Sequence, residues 1–408
     1  MALVSYEDAF ARVEARLART EEVEVAIADS VGLVTTRDLH AVEHVPPFDN
    51  TAVDGFAVRS VDVQSVPVQL AVTATVAAGS SPSIELAEAT CARIMTGAVI
   101  PAGADAVVMV EDSSPVGDSG GGGAGSEAVR IHKAATAGQH IRPAGDDLQA
   151  GDTAIEAGTR LAPGHVGLLA TLGLTKAPVR RRPRVGVIST GDELVGPGGP
   201  LAPGQIRDSN RVMLLALCEQ AGVTGIDLGL VADDEQLIER ALLAGASDCD
   251  AIVTSGGVSM GDYDYVKAVL GRIGDMEWMQ VAIKPAKPFA FGTIGATPVF
   301  GLPGNPVSSL VSFELFARPG LRVMVGDSKP HRTRLTAVAG SDIRRRSDSK
   351  VHFVRVNLSR GAGGLVATPT GSQGSHQLAA SAGADGLAVV PDGDGVPVGG
   401  ALDVIPLG

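Results

Sequence analysis

The feature that most constrains the fold is a regular alternation of strand-length apolar runs with helical segments between residues 180 and 326. Segments with the helical spacing of apolar residues lie at 209–222, 234–246, 263–274 and 306–320. This rhythm predicts a central doubly wound, mostly parallel sheet with helices on both faces. The apolar runs are RVGVIST at 184–190, GIDLGLVAD at 225–233, DAIVTSGG at 250–257, MQVAIKP at 279–285 and PVFGLPG at 298–304.

A polar or glycine-containing cluster follows each run. Open parallel sheets bind ligands beyond the carboxyl ends of their strands, so these clusters are the candidate site. Any one of them alone is more often an ordinary strand-to-helix turn with a good cap. Five on one edge favour a binding site. The clusters are GDE at 191–193, DD at 233–234, SGG at 255–257, KPAKP at 284–288 and LPGNPVS at 302–308.

The last of these clusters is suited to an anion. Gly304 lets a ligand approach the backbone, Asn305 is a candidate N-cap, and Pro306 fits the first helical position. Free N–H groups and the helix dipole would then face the ligand. The glycines of SGG at 255–257 can offer a second stretch of backbone donors. We therefore expect a phosphate-bearing ligand.

Acidic residues cluster at the same strand ends and would repel a phosphate unless a cation lies between them. Mg²⁺ typically binds one or two carboxylates together with substrate phosphate oxygens and water, so this pattern predicts a metal-bridged phosphate ester. A solvated acidic rim is the alternative interpretation. The residues are Asp192, Glu193, Asp208, Asp233, Asp234, Asp262 and Asp264.

Two lysines interrupt the apolar run VAIKPAKPFAFG at 281–292. A proline follows both Lys284 and Lys287, and apolar neighbours such as Phe289 and Phe291 predict partial desolvation of the two cations. Two unit charges 4 Å apart interact by about 1 kcal/mol in water and by about 4 kcal/mol at an effective dielectric constant of 20. The pair is therefore a candidate pocket for a small dianion, with two ordinary surface lysines near a turn as the alternative.

The rest of the chain divides around this α/β segment. Residues 5–19 have the spacing of an amphipathic helix, 164–174 can form a second helix, and GDSGGGGAGS at 117–126 has the composition of a flexible loop. Short alternating runs dominate from 46 to 139 and again after 327. We expect a linker and helical domain of residues 1–45 and 140–179, an elongated β-rich arm of 46–139, an α/β domain of 180–326, and a small C-terminal β-barrel-like domain of 327–408.

Charge and composition exclude several partner classes. Acidic residues outnumber basic ones by 46 to 33, and the formal charge of −13 disfavours non-specific binding to nucleic acid or anionic membranes. No apolar stretch approaches the roughly 20 residues that span a bilayer, and the N-terminus lacks a signal-peptide pattern. Cys91, Cys218 and Cys249 are widely spaced, which disfavours a disulfide framework or a zinc site. We expect a cytoplasmic protein that acts on a small molecule, without nucleic-acid binding or membrane insertion.

Nine motifs follow one another along the chain: PPFDNTAVDGFAVR (46–59), RIMTGAVIPAGADAVVMVED (93–112), GQHIRPAGDDL (138–148), STGDELV (189–195), GQIRDSN (204–210), TSGGVSMGDYDYVK (254–267), KPAKPFAFG (284–292), GLPGNPVSS (301–309) and GSQGSH (371–376). Together they closely resemble the MoeA proteins and the E-domain of gephyrin, which are molybdopterin molybdenumtransferases. The resemblance implies a MogA-like molybdopterin-binding domain at 180–326. It also implies a reaction in which adenylylated molybdopterin (molybdopterin-AMP) and molybdate give molybdenum cofactor and AMP, with Mg²⁺ required.

The resemblance also implies roles for individual residues. Molybdate would contact Lys284, Lys287, Pro288, Ser308, Arg355 and Ser375. The nucleotide and the pterin phosphate would contact Thr190, Gly191, Asp208, Asn210, Ser255, Gly256, Gly257, Gly304 and Asn305. Mg²⁺ would lie near Glu193, Asp233 or Asp234, and Asp264. Catalytic roles would fall to Asp54, Thr96, Glu193, Asp264, Lys284 and Lys287, with Asp54 and Thr96 reaching the cleft of a partner subunit in a homodimer.

Two other functions fit part of this pattern. A molybdopterin adenylyltransferase resembles the 180–326 domain, although that enzyme is essentially this domain alone. A dimeric scaffold that binds a peptide of another protein, as the gephyrin E-domain does for receptors, fits with or without retained activity. The adenylyltransferase and apo-molybdoenzymes are further candidate partners. Arg207 and Ala286 depart from the family pattern, which usually has an aromatic residue and a glycine there; Ala286 restricts a turn that glycine would leave freer.

Overall fold

The computed structural model describes residues 3–80, 83–116, 127–258 and 265–408. The chain forms two compact units. The glycine-rich stretch 117–126 lies outside the described residues, as do Asp262 and Asp264. None of the helices in the described ranges is both long and apolar enough to cross a membrane. The first unit comprises Met1–Arg37, Ala157–Pro163 and Lys176–Gly408, and the second comprises Asp38–Glu156 and Gly164–Thr175.

The α-helices are short to medium in length, and a π turn at Phe313–Ala317 joins two of them. In chain order they are α1 Tyr6–Glu14, α2 Pro163–Thr171, α3 Asn210–Gln220, α4 Glu235–Asp248, α5 Tyr265–Ile273, α6 Pro306–Ser312, α7 Arg318–Met324 and α8 Leu378–Ala382.

The strands of the first half of the chain are β1 Glu22–Ala26, β2 Leu39–His40, β3 Asn50–Thr51, β4 Gly55–Val58, β5 Val68–Val76, β6 Thr90–Ile94, β7 Ala106–Met109, β8 Ser113–Val116, β9 Ala128–Ile131, β10 Ile141–Arg142, β11 Thr153–Ile155 and β12 Lys176–Arg180. Those of the second half are β13 Arg184–Thr190, β14 Leu194–Val195, β15 Ile206–Arg207, β16 Thr224–Val231, β17 Ala251–Ser255, β18 Asp275–Gln280, β19 Ile283–Lys284, β20 Pro288–Ile294, β21 Thr297–Leu302, β22 Leu335–Ala339, β23 Ile343–Arg344, β24 Val351–Gly361, β25 Gly364–Pro369, β26 Gly386–Val390, β27 Gly395–Val396 and β28 Ala401–Pro406.

A six-stranded sheet with the order β16-β13-β17-β21-β20-β18 lies in the first unit. Strands β16, β13, β17 and β21 are parallel, whereas β20 runs antiparallel to both of its neighbours. The prediction of a mostly parallel central sheet is confirmed. One expected strand is divided: MQVAIKP gives the end of β18 and then β19, because Val281 N donates to Lys287 O at 2.7 Å and the chain turns out of the sheet to pair with β24.

Apolar residues cover both faces of this sheet. Along β17, Ala251 and Val253 belong to one hydrophobic cluster, and Ile252 between them belongs to another. Helices α3, α6 and α7 contribute to the first cluster, and α4 and α5 contribute to the second. Because successive strand residues point to opposite faces, the sheet has helices on both sides, as the sequence predicts.

A closed five-stranded barrel lies near the C-terminus. Strands β22 and β25 are parallel, and the remaining pairs β25–β24, β24–β26, β26–β28 and β28–β22 are antiparallel. Its interior contains small and branched side chains, among them Ala337, Val356, Ala388 and Val404. Closure leaves these strands with neighbours on both sides, and it confirms the predicted barrel-like domain.

Helix α1 is shorter than the predicted segment 5–19. Ser5 caps it by accepting from Asp8 N at 3.0 Å, and Ala9, Phe10 and Val13 are buried against the first unit. The helix ends at Glu14. Ala15 N still donates to Ala11 O, four residues back, whereas Arg16 N and Leu17 N donate to Val13 O and Glu14 O, three residues back.

The second unit contains a six-stranded sheet with the order β7-β4-β6-β5-β9-β8. Strands β5 and β6 are parallel, and the other pairs are antiparallel. On β4, Phe56 packs into one hydrophobic cluster and Ala57 into another, so this sheet is also buried on both faces.

Candidate active site

The five predicted strand-end clusters lie at one edge of the central sheet. Strands β13, β16, β17 and β21 are parallel, so the segments after them leave from a shared carboxyl edge. Strand β18 is antiparallel to β20, which is antiparallel to β21, so β18 points the same way as β21. The lysine-containing turn after β18 therefore leaves from the same edge.

A cavity of about 520 Å³, which we call the acidic cavity, lies among these segments. Three acidic residues line it, Glu193, Asp208 and Asp233, together with Arg207. The other described lining residues include Ile206, Tyr265 and His376. All the residues predicted to contact the nucleotide and the pterin phosphate line this cavity: Thr190, Gly191, Asp208, Asn210, Ser255, Gly256, Gly257, Gly304 and Asn305.

Asn210 ties together three elements at the cavity wall. It is the first residue of α3, and its Nδ2 donates to Ser255 Oγ at 2.8 Å and to Gly304 O at 2.7 Å. Its Oδ1 is buried and has no hydrogen-bond partner among the described residues. Leaving a buried acceptor unpaired costs about 1–3 kcal/mol, so this oxygen is suited to a donor from a ligand or a water molecule.

Asp208 is a carboxylate that the protein itself already uses. It is 2% exposed, and it accepts from Ser189 Oγ at 3.1 Å and from Arg211 Nε at 2.8 Å. Arg211 N donates to it as well, at 3.1 Å. These bonds hold the start of α3 in place beside the cavity, and contact between Asp208 and a ligand stays a prediction.

Two glycines bring the backbone to the cavity. Gly256 and Gly257 have φ values of 94° and 78°, in the left-handed region that favours glycine. A Cβ on Gly257 would lie 2.2 Å from Cβ of Val266 on α5. The close approach of the 255–257 turn to α5 therefore depends on glycine at 257.

The predicted metal ligands are brought together only in part. Glu193 and Asp233 line the acidic cavity. Asp234 instead caps α4, because its Oδ1 accepts from Leu237 N at 2.9 Å, and Asp264 lies outside the described residues. Among the described residues no three metal-binding side chains form a cluster. Two carboxylates facing one cavity still fit Mg²⁺, which takes its other ligands from phosphate oxygens and water.

Apolar residues in and beside the lysine-containing turn are buried, and its two lysines are exposed. Lys284 and Lys287 are exposed, so the expectation of partial desolvation is wrong for these side chains. The apolar neighbours alone enter the core: Ala286 is 4% exposed and Phe289 is 1% exposed. Ala286 has a φ of 73°, so a turn that glycine would form without strain is formed here at a cost.

A second cavity, of about 690 Å³, lies beside Lys284, and we call it the cationic cavity. Its two carboxylates are already in ion pairs, Asp342 with Arg344 at 2.9 Å and Asp348 with Arg345 at 2.6 Å. Burial lowers the pKa of His352, so this ring is neutral at pH 7. Positive charge is therefore in excess. The charged and titratable lining residues are Lys284, Asp342, Arg344, Arg345, Arg346, Asp348 and His352.

We call residues 372–377 the strap. The buried side chain of Arg355 contacts this segment. Arg355 is 1% exposed, and it donates to strap carbonyls at Ser372 (2.9 Å) and Gln377 (2.9 Å). The sequence predicts that Arg355 binds molybdate directly. In the structure, all three guanidinium nitrogens already donate hydrogen bonds within the protein. Of the other expected molybdate residues, Ser308 is buried, Pro288 and Ser375 are half-buried, and Ser375 O accepts from Val307 N at 3.1 Å.

Asp54 and Thr96 form a pair in the second unit. Asp54 Oδ1 accepts from Thr96 N at 2.7 Å and from Thr96 Oγ1 at 2.7 Å. The backbone hydrogen bond first, and the hydroxyl second, hold the pKa of Asp54 below its usual value. The carboxylate is exposed and ionised at neutral pH.

Several residues that line the two cavities are not predicted from the sequence, among them His376, Arg346 and His352. His376 belongs to the GSQGSH motif, which is a usable signal because Ser375 beside it is already a candidate. Arg346 and His352 belong to the stretch RRRSDSKVHF at 344–353, whose charges are typical of a solvated surface and give no comparable signal.

The fold and the cavity together define a class: a multidomain α/β protein with a cavity at the carboxyl edge of a doubly wound sheet. Family descriptions match three stretches of the chain. They are the MoeA N-terminal region (domain I and II) at residues 4–173, a probable molybdopterin binding domain at 186–323, and the MoeA C-terminal region (domain IV) at 336–407.

Individual relatives match almost the whole chain. Molybdopterin molybdenumtransferase 2 of Mycobacterium tuberculosis is 41% identical over 93% of this chain and 94% of its own length. The molybdopterin molybdenumtransferase of Haemophilus influenzae is 37% identical over 87% and 86%. The crystal structure of the molybdopterin biosynthesis MoeA protein of Pyrococcus horikoshii OT3 covers 99% of both chains, with a TM-score of 0.84 and 27% identity. The chain belongs to the MoeA family of molybdopterin molybdenumtransferases.

Proposed function

We propose that this protein inserts molybdenum during molybdenum cofactor biosynthesis, converting adenylylated molybdopterin and molybdate into molybdenum cofactor and AMP in the presence of Mg²⁺. The observation that carries the proposal is the assembly of every expected nucleotide and pterin-phosphate residue around the acidic cavity. The identity of 41% to a molybdopterin molybdenumtransferase supports the coarser activity, transfer of molybdenum.

The chain's own groups bind and orient the adenylylated substrate. The turn at Gly256 and Gly257 brings backbone close to the phosphoanhydride, and the unpaired Oδ1 of Asn210 accepts a hydrogen bond from the ligand. Glu193 and Asp233 would hold Mg²⁺, which supplies charge neutralisation at the phosphate oxygens. No protein nucleophile is required, because positioning and charge stabilisation account for the contribution of the enzyme.

Molybdate enters this proposal as a substrate of charge −2. Lys284 and Lys287 are exposed cations in a chain of formal charge −13, and Lys284 also lines the cationic cavity with its excess of positive charge. Contact with molybdate would remove water from these lysines and strengthen their charge interactions.

A cytoplasmic homodimer with shared sites completes the proposal. Asp54 and Thr96 of each subunit would reach the cleft of the other, where the exposed, ionised carboxylate of Asp54 would be available as an acceptor or a metal ligand. The family matches at 4–173 and 336–407 extend well beyond the α/β domain, which favours insertion over adenylylation by that domain alone.

The test is to supply the pure protein with adenylylated molybdopterin, Mg²⁺ and molybdate. AMP release that requires both ions supports the proposal, and no AMP release contradicts it. ATP-dependent adenylylation of molybdopterin would support the adenylyltransferase function instead. If a variant with Lys284 and Lys287 both replaced by Ala rescued a deletion strain, a scaffolding role would be the better explanation.

A further inference from the structure

His376 differs from every other described residue that lines the acidic cavity. The others lie between residues 190 and 306, in and around the α/β domain, whereas His376 belongs to the strap that follows barrel strand β25. Its side chain is exposed. The strap therefore contributes one imidazole ring, that of His376, to a cavity that the α/β domain otherwise forms.

Hydrogen bonds from Arg355 hold the strap that contains His376 in place. This buried guanidinium donates to Ser372 O at 2.9 Å and Gly374 O at 3.3 Å through Nη2, and to Gln377 O at 2.9 Å through Nη1. Its Nε donates to Gln373 Oε1 at 3.2 Å. One arginine thus contacts the strap on both sides of His376 in the sequence.

Two further hydrogen bonds hold the residues next to His376. Val307 N at the start of α6 donates to Ser375 O at 3.1 Å, and Gly374 N donates to the side-chain Oε1 of Gln377 at 2.8 Å. The backbone around His376 is therefore tied to the α/β domain and to itself. Because this backbone is already held in place, little further backbone entropy is lost when the His376 ring contacts a ligand.

The charges around the cavity explain what this ring can bind. The carboxylates of Glu193 and Asp233 suit a cation but repel a phosphate, and Arg207 already donates to Gly199 O at 2.9 Å. A phosphate in this cavity needs further N–H donors. An imidazole N–H can supply one, and hydrogen bonds to charged acceptors are worth about 1.5–3 kcal/mol.

We infer that His376 is a binding residue for the phosphate of the adenylyl group, and that Arg355 is the positioning residue that holds His376 in place through the strap. The inference rests on the proposed function, because it takes its ligand from the nucleotide assigned to the acidic cavity. Arg355 then acts on the nucleotide without touching it.

The first test measures AMP binding by calorimetry in the presence of Mg²⁺. His376→Ala is expected to weaken AMP binding about tenfold or more with an unchanged melting temperature. His376→Gln keeps an N–H donor and is expected to recover part of the loss. The matched control is Ser372→Ala, an exposed strap residue that contributes only its carbonyl, and its affinity for AMP is expected to equal that of the wild type.

The second test separates the role of Arg355 from direct binding. Arg355→Met is expected to weaken AMP binding about as much as His376→Ala, and the double variant is expected to bind no more weakly than His376→Ala, since both changes remove one contact. Should Arg355→Met fail to fold, Gln377→Ala loosens the strap more mildly by removing the bond from Gly374 N, and the same non-additivity is expected.

Three results would overturn parts of this account separately. Wild-type protein that does not bind AMP at all would overturn both the proposed function and this inference. Wild-type binding with unchanged affinity in His376→Ala would overturn the inference alone. Additive losses in the double variant, or a loss of molybdate binding without any loss of AMP binding in Arg355→Met, would overturn the positioning role of Arg355.

Discussion

Lys284 and Lys287 are the residues on which the proposed binding of molybdate depends. Replacing Lys284 by Ala removes a charge-assisted contact worth about 1.5–3 kcal/mol, so the KM for molybdate is expected to rise about tenfold or more. Affinity for AMP should not change, because Lys284 lines the cationic cavity and not the acidic one. Steady-state kinetics check this, with Lys176→Ala, an exposed lysine on β12, as the control. An unchanged KM for molybdate would remove Lys284 from the site.

The Asp54–Thr96 pair makes a prediction about pH. Thr96→Val removes the hydroxyl donor and keeps the stronger backbone donor, so the pKa of Asp54 is expected to rise part of the way toward its ordinary value. A depressed folded-state pKa stabilises the fold above the unfolded-state pKa, and this contribution is lost as the pH falls through the folded-state value. The variant should therefore protonate Asp54 at a higher pH than the wild type does.

A carboxyl-carbon NMR titration measures that shift directly. Thr90→Val is the matched control, because Thr90 lies in the same unit and its hydroxyl donates to Ala87 O at 2.8 Å instead of to a carboxylate. Identical titration midpoints for Asp54 in Thr96→Val and in the wild type would show that the hydroxyl does not stabilise the ionised carboxylate.

Gly257, which lies against α5, and Gly271, which lies within α5, give opposite predictions for the stability of the fold. Gly257→Ala would place a Cβ against Val266 in a backbone region that favours glycine, so it is expected to lower the melting temperature and weaken AMP binding. Gly271→Ala lies inside α5 with no heavy atom near the added Cβ and should stabilise the helix by up to about 1 kcal/mol. Thermal unfolding compares the two. Equal melting temperatures would contradict the close approach of the turn to α5.

The π turn between α6 and α7 contains a buried ion cluster. Glu314 is 3% exposed and accepts from Arg332 Nε at 2.8 Å, and Arg318 Nε lies 3.2 Å from it. Burial lowers the pKa of Arg318 to about 10. Glu314→Gln leaves the buried Arg318 and the half-buried Arg332 without their carboxylate and is expected to destabilise the fold by about 3 kcal/mol.

Urea denaturation measures the effect of Glu314→Gln. The control is Arg272→Ala, which breaks half-exposed ion pairs with Glu235 and Glu239 on the surface and should cost less than about 1 kcal/mol. If the two variants were equally stable, the buried cluster would contribute no more than a surface pair.

Local pattern was enough to predict some elements and not others. Helices α3, α4 and α5 follow from the spacing of apolar residues, and the carboxyl edge follows from the parallel order of the strands. The division of MQVAIKP depends on β19 pairing with β24, about 70 residues further along the chain, and no local pattern encodes that contact. No local pattern in the sequence predicts the burial of Arg355 under the strap either.

Two cavities of opposite charge in the first unit are the main feature of the whole molecule. The first unit contains an acidic cavity suited to a nucleotide with Mg²⁺ and a cationic cavity suited to an oxyanion. In a chain of formal charge −13, the local excess of positive charge at the second cavity would attract a small dianion.

The proposed homodimer with shared sites predicts complementation between inactive subunits. Homodimers with Asp54→Ala, and homodimers that carry Lys284→Ala and Lys287→Ala together, should each be nearly inactive at molybdate concentrations near the wild-type KM. Random mixing makes half of the dimers mixed, and each mixed dimer has one intact site, so about a quarter of wild-type activity should return. Sedimentation should give twice the chain mass of 41.4 kDa. No recovery of activity after demonstrated subunit exchange would place Asp54 outside the partner's site.

Locating molybdate in crystals of the protein tests whether Lys284 and Lys287 bind it. Molybdenum gives an anomalous signal that identifies it among other anions. We expect a difference peak within contact distance of Lys284 and Lys287, at the carboxyl edge of the central sheet, and loss of this peak in Lys284→Ala crystals. A peak that lies away from the lysine-containing turn, with none at it, would contradict the account.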